Sequence, residues 1–112
     1  MKRLIALAFG LTLAAFAQAH TPLKTSVPAA DASVAAPKTL ELTFGGDVRL
    51  TSVSLMDSGG AAKHLDAVPT AVARTFSLGI HEPLTPGPYK VVWRAVGGDT
   101  HIISGEFGFT VR

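Results

Sequence analysis

The chain contains no cysteine. Disulfide bracing, thiolate chemistry and cysteine-based zinc or iron–sulfur sites are therefore excluded. Any metal site must be assembled from histidine, carboxylate, methionine or backbone groups. Methionine is almost as scarce, with only Met1 and Met56. One Trp and one Tyr leave no obvious flat aromatic platform for a polymeric substrate. With 112 residues there is room for a single domain and little else. No run of apolar residues reaches the roughly 20 needed to span a bilayer.

What is present begins with an export leader. Lys2 and Arg3 form a positive n-region, Leu4 to Phe16 is almost wholly apolar, and Ala17-Gln18-Ala19 places small residues where a signal peptidase reads them. A retained membrane helix is the weaker reading, because the run is short and the small-x-small ending would be unexplained. The expected division is a signal peptide over residues 1–19 and one domain over 20–112, with His20 as the mature N-terminus. Losing Lys2 and Arg3 takes the ten Lys and Arg down to eight, against eight Asp and Glu. The sequence pI of about 9.3 therefore misleads. No basic field remains to attract nucleic acid or anionic lipid.

Beyond His20 the pattern is that of strands. Leu40, Leu42 and Phe44 alternate with polar residues, as do Val53 and Leu55. Val72 to Leu78 is a less regular third candidate. Tyr89, Val91, Trp93 and Ala95 share a face, with Lys90 and Arg94 on the other, and Ile103, Phe107, Phe109 and Val111 line the last strand. Pro28, Pro37, Gly45-Gly46, Ser58-Gly59-Gly60, Pro83 through Pro88 and Gly97-Gly98 read as turns between them. No stretch sustains a helical period. An all-β antiparallel sandwich or small barrel is predicted.

Two features could carry chemistry. At a free N-terminus His20 offers two nitrogens, an amine titrating near 7.7–8.0 and an imidazole near 6.5. Amine and Nδ1 can close a chelate ring on one metal, and nitrogen donors in a plane suit Cu(II). The alternative is that the leader simply ends before a histidine. The second feature is Gly97-Gly98-Asp99-Thr100-His101. Asp99 and His101 at i, i+2 point the same way in extended backbone, either as two metal ligands or as a hydrogen-bonded pair in which Asp99 orients the ring. His64, beside Lys63 in a Gly/Ala-rich loop, reads as a solvated surface residue, and His81, before Glu82-Pro83, as a surface or hydrogen-bonding one. Asp31 and Asp66 have turn-forming neighbours and call for no functional account. Trp93 and Tyr89 read as core, with Trp93 a natural fluorescence reporter of nearby Cu(II).

Taken in order along the chain, these pieces resemble the periplasmic copper-binding CopC family. The resemblance rests on His20, Ser26-Val27-Pro28-Ala29, Pro37-Lys38 leading into Leu40–Phe44, Leu84 through Arg94, Asp99-Thr100-His101 and Gly105 through Val111. It implies a Greek-key β-sandwich of immunoglobulin-like, cupredoxin-like appearance. It also implies a Cu(II) site made by the amine and imidazole of His20 with Asp99 and His101. The implied role is periplasmic copper homeostasis or resistance, without catalysis, beside an inner-membrane copper transporter of the CopD type.

Three departures from the family stand out. Members with a Cu(I) site build it from a methionine-rich segment and a histidine, and Met56 alone cannot supply one. An acidic residue commonly follows the strand matching Leu40–Phe44, where this chain has Gly45-Gly46 and then Asp47. The usual loop reads Asp-Gly-His, where this chain has Thr100. A rival reading, a copper-dependent oxidative enzyme of the histidine-brace type, shares the N-terminal chelate. A carboxylate in the copper plane and the lack of a flat aromatic surface both disfavour it. A third reading is a secreted adhesion-type sandwich without metal.

Overall fold

Alternation along one long strand organises the molecule. The computed structural model describes residues 23–112, so the predicted signal peptide and His20 lie outside the described residues. Six strands run β1 (Leu23–Val27), β2 (Ser33–Val34), β3 (Thr39–Asp57), β4 (Ala73–Gly79), β5 (Gly87–Gly97) and β6 (Ile102–Val111). No helix occurs among the described residues. The all-β expectation holds.

β3 is where sequence and structure part. Gly45-Gly46 was expected to be a turn between two strands. Instead it lies inside the 19-residue β3, where pairing shifts between Thr43 and Val48. The first half of β3 pairs with β1 on one edge and β4 on the other. The second half pairs with β5, followed by β6 and a short parallel contact to β2. One strand thus serves two faces of a curled sheet. β1 and β2 were not expected as strands: β2 is two residues long, and its partner Thr110–Val111 lies at the other end of the chain.

A second irregularity in β3 keeps the core filled. Leu40, Leu42, Phe44, Val48 and Leu50 are buried at even positions, then Leu55 is buried at an odd one. The switch falls at Thr51. Leu50 pairs with Ala95 and Ser52 with Arg94, so Thr51 is an extra residue in the ladder, and its Oγ1 donates to the Arg94 carbonyl at 3.0 Å. A bulge of one residue reverses which side chains face inward. Without it Leu55 would point to solvent.

The core has two linked clusters. One gathers Leu42, Phe44, Val48, Leu50, Phe76, Trp93 and Ala95; the other gathers Leu40, Leu55, Leu84, Tyr89, Val91, Phe109 and Val111. Val53 and Phe107 touch both. The Phe44 ring meets Trp93 edge-on with centroids 5.1 Å apart, a favoured aromatic geometry. The Tyr89 hydroxyl donates to the Thr85 carbonyl at 2.8 Å, pinning the chain as it enters β5 in the manner of a tyrosine corner. Trp93 and Tyr89 are core, as their alternation predicted. Leu23 pairs with Phe44 and Val48 pairs with Gly97. The start of β1 and the tip of the β5–β6 hairpin consequently lie at the same end of the sheet.

Candidate metal centre

The β5–β6 hairpin is closed by a tight loop. The Gly97 N–H donates to the His101 carbonyl at 2.9 Å, and the Thr100 N–H donates to the Gly97 carbonyl at 2.9 Å. Thr100 has φ of 68°, the left-handed conformation that three-residue hairpin loops require at their last position. A β-branched residue is strained there, which explains conformationally why glycine is usual in this loop. Thr100→Gly removes roughly 1–2 kcal/mol of left-handed strain and adds about 0.4–1 kcal/mol of unfolded-state entropy. The expected net result is a stabilisation of about 0.5–1 kcal/mol, read as a higher Tm in thermal unfolding. A lower Tm would show that the Thr100 side chain contributes more than its backbone costs.

The loop brings Asp99 and His101 into contact. Asp99 Oδ2 lies 2.7 Å from His101 Nδ1, and Asp99 Oδ1 accepts the His101 backbone N–H at 3.2 Å. The His101 ring holds the Asp99 carboxyl below the usual carboxylate range, helped by that backbone N–H. In return, the hydrogen bond and charge of Asp99 raise the His101 imidazole above its ordinary value. The two side chains are 69% and 79% exposed, so water screens the pair and its contribution to stability is small. Its value is geometric. Nδ1 faces the carboxylate, which leaves Nε2 as the outward donor, the tautomer arrangement common to metal-binding histidines.

Asp47 lines the same shallow cleft as Gly97, Gly98 and Thr100, together with Val48, Arg49, Val72 and Val96. Among the described residues no group of three His, Cys, Asp or Glu side chains gathers within reach of one ion. Asp99 and His101 are brought together, while His20 lies outside the described residues. His81 makes a hydrogen bond through Nε2 to Asp66 Oδ1, in keeping with the role expected for it. Asp66, for which the sequence called for no functional account, is its partner. Its carboxylate takes the His81 contact and the Gly79 N–H, and both hold its pKa below the ordinary value. Only pairing between distant segments creates that arrangement, and no local signal announces it.

Comparison with known proteins bears on the family and the fold. The CopC domain family matches residues 23–112. Copper resistance protein C of Escherichia coli is 39% identical over 106 residues, covering 86% of this chain and 84% of that protein. Copper resistance protein C of Pseudomonas syringae pv. tomato is 35% identical over 114 residues, covering 94% and 90%. Among solved structures, PcoC, a methionine-rich copper resistance protein from Escherichia coli, superposes with a TM-score of 0.69 at 36% identity, covering 83% of this chain and 99% of that one. CopC from Methylosinus trichosporium OB3b gives 0.68 at 34% identity, covering 82% and 93%.

Proposed function

The chain belongs to the CopC domain family, and from that membership we propose that it binds one Cu(II) through His20, Asp99 and His101. In this reading it is a periplasmic carrier or buffer in copper resistance and homeostasis, not an enzyme. It would receive or deliver copper in company with an inner-membrane transporter of the CopD type. The observation that carries the proposal is the Asp99–His101 pair, held on a hairpin tip at the end of the sheet where the chain enters β1. Three steps of chain separate Leu23 from His20, a reach of at most about 10–11 Å. Copper would replace the Asp99–His101 hydrogen bond, and three nitrogens and one carboxylate oxygen then suit a tetragonal Cu(II) ion, with water or Asp47 available to complete its shell. Both curated relatives described above are named for copper resistance.

The direct test is mass spectrometry of the exported protein with and without Cu(II), which reads the N-terminus and the stoichiometry together. An N-terminus at His20 and one tightly held copper are expected. Stoichiometric copper that survives His101→Ala with undiminished affinity would overturn the site.

Acidification supplies a second check. Metal binding requires neutral imidazole and amine, so protons compete with copper. The shift on His101 is upward, so its proton is held to higher pH than an isolated imidazole would hold it. Copper affinity is expected to fall as pH drops through that raised value. The loss from pH 7 to pH 6 should be about tenfold or more, since the amine near 7.7–8.0 must also give up its proton. Isothermal titration across this range measures it, and a flat profile would exclude the amine and imidazole as ligands.

A further inference from the structure

Away from the hairpin, residues 63–66 run antiparallel to residues 79–82. Leu65 bridges Ile80, the His81 N–H donates to the His64 carbonyl at 2.8 Å, and the Asp66 N–H donates to the Gly79 carbonyl at 3.0 Å. This register sets His64 directly opposite His81 and Asp66 opposite Gly79. Directly opposed residues share a face, and so do residues at i and i+2. His64, Asp66 and His81 therefore stand on one side of the same short ladder. Asp66 Oδ1 already contacts His81 Nε2, and Asp66 Oδ2 is fixed by the Gly79 N–H at 2.7 Å. A Cβ on Gly79 would meet Asp66 Oδ2 at 3.0 Å, so the absence of a side chain there gives the carboxylate its place.

We propose that His64, Asp66 and His81 form a second metal site, taking a divalent ion of borderline softness such as Zn(II) or Cu(II). Two imidazoles and a carboxylate are a ligand set these ions accept. Asp66 and His81 are already together; the three side chains do not converge on one point as they stand, and the exposed His64 side chain would complete the set by rotating about its own χ angles, between staggered wells, as the ion replaces the Asp66–His81 hydrogen bond. The neighbouring cation is occupied elsewhere: Lys63 reaches Asp57 at 3.5 Å and Glu82 at 3.9 Å. Glu82 also accepts the His64 backbone N–H at 2.7 Å, which fixes the backbone from which the His64 ring projects. The donor set contains no sulfur, so it selects against Cu(I). The site is independent of His20, Asp99 and His101.

The test uses the mature protein carrying His20→Ala and His101→Ala, which leaves His64 and His81 as its only histidines. Titration with Zn(II), and separately with Cu(II), is expected to show one equivalent bound. The imidazole NMR signals of both histidines should shift together with Zn(II). Adding His64→Ala or His81→Ala should each weaken binding at least about tenfold, with circular dichroism unchanged because both side chains are exposed. Zn(II) binding indifferent to both substitutions, or no binding by the parent variant, would overturn the proposal. Neither result bears on the hairpin site, which this variant lacks.

Discussion

One extra residue ahead of His20 in the processed protein is expected to weaken Cu(II) binding about a hundredfold or more, near 2.8 kcal/mol at 1.4 kcal/mol per decade. The extension turns a basic amine into an amide and breaks the five-atom reach that lets amine and Nδ1 seize one ion. His20→Ala removes the other half of the same chelate, and a loss of similar size is expected. Neither change should unfold the domain, because the described core begins at Leu23 and its filling comes from β3, β5 and β6. Thermal unfolding of the metal-free variants should match the parent, and that control separates a lost ligand from a lost fold. Electron paramagnetic resonance of the copper form should show coupling to fewer nitrogens in both variants. Copper affinity untouched by the extension would sink the chelate, and with it the idea that processing creates the site. The same logic makes the uncleaved precursor a weak binder.

Much of this was legible in the residues because the signals are local. Leu40, Leu42 and Phe44 declare a buried face by period two, and Tyr89, Val91, Trp93 and Ala95 do the same. Gly97-Gly98 marks a hairpin whose following Asp99 and His101 fall together, and the structure shows them in contact. Gly45-Gly46 was misleading, since glycine composition cannot distinguish a chain reversal from an irregularity within one strand. What decides between them is the partner: β1 and β4 take one half of β3 and β5 takes the other. The Thr51 bulge was equally silent, being defined by Ala95 and Arg94 across the ladder. Pairing of His64 with His81, 17 positions apart, is a third fact of register that inspection of either segment does not yield. Local alternation thus reports which residues are buried, and long-range register reports which polar ones meet.

Trp93→Ala is expected to cost about 3–5 kcal/mol, a large part of the 5–15 kcal/mol that holds a domain of this kind together. Trp93 is 1% exposed, and it fills the space between Phe44 on β3 and Gly105 on β6. No disulfide is available to limit the damage, since the chain has no cysteine. The opposite error is informative too. A Cβ on Gly105 would lie 2.7 Å from Trp93 Cζ2 and 3.1 Å from Trp93 Nε1, and the indole has no room to retreat from a packed cluster. Gly105→Ala should therefore cost about 1–3 kcal/mol by overpacking. If the indole is the obstacle, the two changes are coupled. Gly105→Ala introduced beside Trp93→Phe should cost clearly less than it does alone, with an interaction of about 0.5–3 kcal/mol in a double-mutant cycle. Strict additivity in chemical denaturation would place the strain at Gly105 in its backbone instead. Ala95 and Ile103 sit two register positions from Trp93 and Gly105 toward the hairpin. The packed pair therefore also sets the platform from which Asp99 and His101 project, and copper affinity should fall in Gly105→Ala only to the extent that the hairpin moves.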